Sequence, residues 1–183
     1  MSASQIVPEV APEPAPEPAP KPAPKKTPAE FIAYVAQAAQ ATQAASGIPA
    51  SFTIAQAALE SAWDGSGLSQ QDFNFFGIKA IGDWHGPSQW WPTVEFLQGH
   101  YVSITAPFRK YASLTEGFED HASFLDPKVN PRYAPAYAHT DDSAAFARAI
   151  QAAGYATDPH YADIIISIID GHGLKQYDSR GTA

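Results

Sequence analysis

From Pro12 to Pro24 every second residue is proline, and that alternation restricts what this chain can fold into more than any other feature. Each ring fixes φ and removes a backbone donor, so the stretch can join neither a helix interior nor a sheet ladder. It favours extended polyproline II backbone instead. The intervening residues are Ala, Glu and Lys, which offer little to bury. Residues 1–27 therefore read as a disordered tail or linker, and residues 28–183 as the folded domain. Within the tail three acids (Glu9, Glu13, Glu17) cancel three lysines (Lys21, Lys25, Lys26), which leaves the chain's formal charge of −8 to the domain. An acidic domain is a poor partner for nucleic acid or an anionic membrane surface.

The domain has the material for a core. Apolar residues make up 45% of the chain, with 10 Phe, 8 Tyr and 4 Trp. There is no cysteine, which excludes disulfides, thiolate zinc sites and a cysteine nucleophile. No apolar run is long enough to span a bilayer, so no membrane insertion is expected. The opening "MSASQIVPEV" has neither a basic start nor an apolar stretch, and is not expected to act as a signal peptide.

Local signals order the domain as helix, helix, a β excursion, then more helices. Thr27, Pro28 and Glu30 form a capping-box pattern, and Gly47 closes the helix they open. A second helix is expected over residues 50–63, ended by "DGSG". "QWWPTVEF" and "YVSITAPF" are rich in β-branched and aromatic residues and flank "LQG", which predicts a hairpin within residues 88–111. Ser113 and Glu116 open a third helix through Leu125, Ser143 a fourth to Gly154, and Asp158-Pro159 a fifth rich in isoleucine. The class is α+β, mainly α-helical, with a small β-hairpin.

The second helix carries a single ionisable residue, Glu60, among Phe52, Ile54, Leu59 and Trp63. It shares a helical face with Gln56, Ala57, Trp63 and Asp64. Two readings stand side by side. Glu60 is either a structural carboxylate that caps a loop or pairs with an Arg, or a general acid whose apolar setting keeps it protonated near neutral pH. A second carboxylate normally completes such a site. Alternation in "TVEF" puts Thr93 and Glu95 on one strand face, although the pattern alone favours Glu95 as a solvent-facing residue. "HTDD" and "DPHYAD" match no zinc spacing, so neither a metal nor a cofactor is expected. Asp142 and Asp158 read as helix-start acids, His172 as a helix-end residue, and Glu119 and Asp120 as a solvated helix face.

The segments "AQAALESAW", "NFFGIKA", "TVEF", "FRKYASLTEGFEDHASFL", "RYAPA" and "AGYATDPHYADIIISII" occur in this order. Together they resemble the endo-β-N-acetylglucosaminidases of glycoside hydrolase family 73 over residues 28–177. The resemblance implies a lysozyme-like fold with the hairpin lobe beside a cleft. It implies hydrolysis of the bond between N-acetylglucosamine and N-acetylmuramic acid in peptidoglycan. It makes Glu60 the general acid, Glu95 the second carboxylate and Tyr155 a cleft residue important for activity. It also places Asn74, Phe75, Phe76 and Gly77 against sugar, with Trp63 and Tyr133 as further substrate contacts. Trp90 and Trp91 are candidates for stacking on sugar faces, or else core residues.

Whether water is activated directly or the substrate's acetamido oxygen attacks first stays open. The alternatives to a glucosaminidase are a lytic transglycosylase or muramidase on the same fold, a non-catalytic peptidoglycan-binding module, and a flagellar assembly factor. The short Pro-rich tail argues against the last. It suits a tether to a particle or secretion-system partner, and release by lysis, a phage particle or a dedicated secretion system would bring the domain to the wall.

Overall fold

The computed structural model describes residues 23–97 and 100–179; the side chains of residues 95–97 and 101 lie outside the described part. The first helix, α1 (Pro28–Ser46), begins as its sequence dictates. The Glu30 amide donates to Thr27 Oγ1 while the Thr27 amide donates to Glu30 Oε2 at 2.9 Å. Helix α2 (Ala50–Glu60) is buried from Ala50 to Ala58, with Ala55, Ala57 and Ala58 small enough for neighbouring helices to approach closely. It stops three residues earlier than the sequence reading expects.

A six-residue helix follows, α3 (Gly67–Asp72), started by the Ser66 side chain accepting from the Ser69 amide at 3.1 Å. The antiparallel hairpin of β1 (Ser88–Leu97) and β2 (His100–Arg109) pairs Ser88 with Arg109 and Leu97 with His100. Helix α4 (Leu114–Leu125) is capped by Ser113, and α5 (Ser143–Ala152) by Asp142, whose Oδ1 accepts from the amides of Ala144 and Ala145. Between them Pro131–His139 forms a 3₁₀ stretch. Helix α6 (Tyr161–Gly171) buries Ile165 and Ile169 but leaves Ile164 partly exposed, so it lies at the edge of the core rather than through its centre. His172 caps its C-terminal end. A short 3₁₀ turn closes the fold (Leu174–Tyr177).

One core cluster unites the helices around Phe31, Phe52, Phe118, Phe146 and Ile150. The hairpin has a separate cluster of Trp91, Ala106 and Phe108, with Leu68 of α3 packed against it. Trp91 is thus a core residue: its Nε1 donates to Asp72 Oδ2 at 2.6 Å, while Trp90 stays exposed. Position 67 must be glycine, because a Cβ there would lie 2.5 Å from the Trp91 ring.

Helix α2 is held at both ends. The Ser51 amide and hydroxyl donate to the Asp178 carboxylate at 2.8 and 2.7 Å, which supplies a cap that Pro49 cannot. At the other end, residues 23–27 lie across the turn that follows Glu60. The Lys26 amide donates to the Trp63 carbonyl at 3.2 Å, and Lys26 Nζ sits 2.6 Å from Asp64 Oδ2. Gln70 Nε2 donates to the Ala23 carbonyl, also at 2.9 Å. The expected tail therefore divides: residues 1–22 lie outside the described residues, while residues 23–27 dock on the domain. Among the described residues no helix is long and apolar enough to cross a membrane.

Candidate active site

Glu60 is the last residue of α2, and the backbone behind it takes an uncommon path. Ala62, Trp63 and Asp64 all adopt positive φ, at 52°, 61° and 60°. Left-handed backbone costs roughly 1–2 kcal/mol per non-glycine residue, so the surroundings must hold the turn in place. Ser61 Oγ donates to the Ala57 carbonyl at 2.7 Å and accepts from the Asp64 amide at 2.9 Å. Lys26 then pairs with Asp64. The turn reverses the chain immediately after the acid and leaves Glu60 at the floor of a cleft of roughly 1160 Å³.

Glu60 is exposed to the open side of the cleft, while the cleft walls crowd its carboxyl and thin the water around it. That loss of solvation pushes its pKa up to about 7. No arginine or lysine pairs with Glu60, so the structural ion-pair reading finds no partner among the described residues.

Aromatic residues build the floor beside the acid. Tyr155, between α5 and α6, stacks on Tyr161 with ring centroids 5.6 Å apart, and its ring lies 6.4 Å from that of Tyr133. Burial raises the Tyr155 hydroxyl pKa well above its ordinary value, with the Glu60 charge adding to the effect. Tyr133 receives a hydrogen bond from Arg132, whose guanidinium also lies 4.6 Å from the ring centroid. Phe76 stacks face to face on His121 at 3.7 Å. His121 is fully buried, and burial lowers its pKa to about 3, so Phe76 rests on a neutral ring. Gly77, with φ of 64°, adds a stretch of wall without a side chain.

The opposite wall is charged. Arg109 Nη1 contacts both Asp120 oxygens at 2.8 and 2.9 Å, and the Tyr111 hydroxyl donates to the same carboxylate at 2.6 Å. Arg109 also lies over the Trp84 ring, 4.4 Å from its centroid. Asp120 is therefore a clamped cleft residue and not the solvated one that the sequence reading expects; Glu119 is exposed as expected.

The structure thus brings Glu60, Tyr155, Phe76, Gly77 and Tyr133 to one cleft. It takes Trp63, Asn74 and Phe75 away from it. Trp63 packs edge-on against Phe31 and His172. Asn74 spends its amide on backbone, with Nδ2 donating to the carbonyls of Ile78 and Arg109 and Oδ1 accepting from the Ile78 amide. Phe75 sits in the core between Phe31 and Phe118. Glu95 lies on β1 opposite Val102, and its side chain is outside the described residues. The cleft residues that the sequence reading missed are Arg109, Asp120, Arg132 and Tyr161. Arg109 and Asp120 meet from separate elements, Arg132 pairs with the adjacent Tyr133, and Tyr161 stacks on Tyr155. Among the described residues no three His, Asp or Glu side chains converge as a metal site.

An acid held near neutrality at the floor of an aromatic cleft, in a helical domain with a two-stranded lobe, has the design of a glycosidase. The family model for Mannosyl-glycoprotein endo-beta-N-acetylglucosaminidase, the glucosaminidase family, matches residues 36–174, and the chain belongs to that family. It is 38% identical over 143 residues to the peptidoglycan hydrolase FlgJ of Escherichia coli K12, covering 76% of this chain and 45% of that one. It is 39% identical over 131 residues to the exo-glucosaminidase LytG of Bacillus subtilis, covering 70% of this chain and 45% of that one. The chain therefore spans less than half the length of these relatives. Among solved structures, the catalytic domain of the autolysin Auto from Listeria monocytogenes superposes with a TM-score of 0.74 at 32% identity, over 85% of this chain and 90% of that one.

Proposed function

We propose that the chain hydrolyses bacterial peptidoglycan at the β-1,4 bond between N-acetylglucosamine and N-acetylmuramic acid, with Glu60 as general acid. The observation that carries this reading is the Glu60 carboxyl in the cleft, with no Lys or Arg paired to it among the described residues and its pKa pushed up to about 7 by loss of solvation. The family and the names of its relatives support the substrate class.

At near-neutral pH Glu60 holds the proton that a departing sugar oxygen needs. As the bond from the anomeric carbon to that oxygen breaks, the proton passes to the oxygen and Glu60 becomes a carboxylate. A water then adds to the anomeric carbon, either directly or after the substrate's acetamido oxygen has closed on it. Tyr155 lies close enough to feel the Glu60 charge, which suits a role beside the reacting carbon. Glu95, on β1 of the hairpin, is the candidate base for the direct route. Gly77 offers a sugar ring a close approach and Arg132 a cation for a substrate carboxylate, with Phe76 and Tyr133 buried behind them as the backing of the wall.

The wall is the proposed site of action, reached after release from the producing cell, with residues 1–22 as a tether to a larger particle. Digestion of purified walls by the parent and by Glu60→Gln tests the central assignment. The variant should lose several orders of magnitude in turnover while still binding glycan; normal digestion would sink the reading. New reducing ends on N-acetylglucosamine are expected, whereas 1,6-anhydro ends would make the protein a transglycosylase.

A further inference from the structure

Beneath Glu60 lies a pair of polar side chains that the proposed chemistry leaves unused. Gln56 is one helical turn before Glu60 on α2, so both project from the same face. Its carboxamide is fully buried, and neither its oxygen nor its nitrogen has a hydrogen-bond partner. Tyr161, the first residue of α6, is 3% exposed and borders the same cleft, yet its hydroxyl is buried and also lacks a partner. Gln56 approaches that hydroxyl without closing a well-formed bond, and the Glu60 charge reaches it. Leaving a buried donor unmade costs about 1–3 kcal/mol, and here three polar atoms on two facing helices are left so.

This inference rests on Glu60 acting as the acid. We propose that Tyr161 is a positioning residue for Glu60: its hydroxyl donates a hydrogen bond to the Glu60 carboxylate as that group gives its proton to the substrate. The hydroxyl is shut off from the open cleft, so its available partners are protein groups. Tyr155, Glu60, Gln56 and Tyr133 are the neighbours whose influence reaches it, and of these Glu60 is the one that becomes an anion in the reaction. A hydrogen bond to a neutral carboxylic acid is weak, and one to a carboxylate is about twice as strong. The donor therefore contributes most when charge appears on Glu60, which lowers the barrier rather than the energy of the resting enzyme.

Burial, with lesser contributions from Tyr155 and Glu60, raises the Tyr161 hydroxyl pKa far above its ordinary range. Tyr161 thus keeps its own proton throughout and acts only as a donor. Nothing is oxidised or transferred at Tyr161; one proton moves from Glu60 to the leaving oxygen. The Gln56 carboxamide approaches the phenol and can direct its O–H toward Glu60.

Tyr161→Phe removes the hydroxyl and little else. The Glu60 charge reaches Tyr155 from the loop before α6 and Tyr161 from α6, and Tyr133 from the 3₁₀ stretch lines the same cleft. The charged groups around the same cleft are Lys79, Asp83, Arg109, Asp120, Arg132 and Asp158, and all stay in place. On purified walls kcat should fall on the order of 10- to 100-fold with KM unchanged, the scale of one hydrogen bond to a charged group. The alkaline limb of the pH–rate profile should move to higher pH, because the ionised form of Glu60 has lost a donor that favours it.

A direct reading comes from ¹³C NMR titration of the Glu60 carboxyl, its signal identified by its loss in Glu60→Gln. Its pKa should rise in Tyr161→Phe. The melting temperature should hold or increase, since the hydroxyl removed has no partner to lose. An unchanged kcat with an unmoved limb and titration overturns the proposal, as does a loss confined to KM. A clear drop in melting temperature, or failure to fold, also overturns it, because the hydroxyl would then be structural. If Glu60→Gln digests walls normally, the proposed function fails instead, and the titration still reports whether the two side chains meet.

Discussion

The helical body and the hairpin are stabilised on very different scales. The body shares one continuous core in which Phe31, Phe52, Phe118 and Phe146 are all sealed from solvent. Among its described residues the hairpin rests on three buried side chains, Trp91, Ala106 and Phe108, and Trp90 and Val94 are exposed. A two-stranded ribbon alone is marginally stable in water, so this one depends on its seat against α3. The difference teaches where each half of the cleft is placed. Glu60 stands on the side with the continuous core, and the wall opposite it is joined to a lobe held mainly by polar ties such as Trp91 to Asp72 and Arg109 to Asp120.

The largest test of that contrast is Phe52→Ala. The ring packs against Phe146 at 4.9 Å within the helical core. Its loss should cost about 3–5 kcal/mol and lower the melting temperature of the whole domain, hairpin included. A hairpin that stayed folded would show the two regions to be independent.

Trp91→Phe should cost less, about 1–3 kcal/mol, because it leaves the buried Asp72 Oδ2 without its donor while Lys110 still holds Oδ1 at 3.0 Å. Amide exchange should quicken across β1 and β2 and stay unchanged in α2. Equal quickening in both would break the comparison.

Glu60→Gln should have a smaller effect on stability, and one that depends on pH. The carboxyl has a pKa near 4.5 when unfolded and about 7 when folded. Between those values the folded state holds a proton that the unfolded state has released, so the parent loses stability as pH rises from about 4.5 to about 7. The variant lacks this slope. Thermal melts across the window should show the variant gaining on the parent by a few degrees and then running parallel. Parallel curves from pH 4.5 upward would mean that Glu60 is well solvated.

Val94→Thr should have the smallest effect, within about 0.5 kcal/mol, since the side chain is 60% exposed on the hairpin. A larger loss would reveal a packing role for the outer face.

These regions were also unequally legible in the sequence. Local signals were enough for α1, where Thr27, Pro28, Glu30 and Gly47 specify both ends, and for the hairpin strands with their β-branched and aromatic runs. They were not enough for α3, whose six residues carry no periodicity, or for the 3₁₀ stretch that Pro131 and Pro135 interrupt. In the site, Glu60 stood out because it is a lone charge in an apolar helix. Asp120 did not, because the groups that clamp it, Arg109 and Tyr111, come from β2 and the turn beyond it. Asn74 misled for the same reason, since its motif gives no hint that its amide is taken up by the backbone of Ile78 and Arg109. Tyr161 is part of a quoted motif, yet nothing local shows that it faces Gln56 across two helices.

The clamps on α2 also make the fold a mechanical part. Lys26 grips the turn after Glu60, and Asp178 grips Ser51 near the start of the same helix. Tension applied to the chain before residue 23 enters the domain beside the acid, and tension applied beyond residue 178 enters at the opposite end of that helix. Pulled from both directions, the domain would carry its load along α2 itself. Anchoring through one end or the other would then set how much of that force the acid's helix feels.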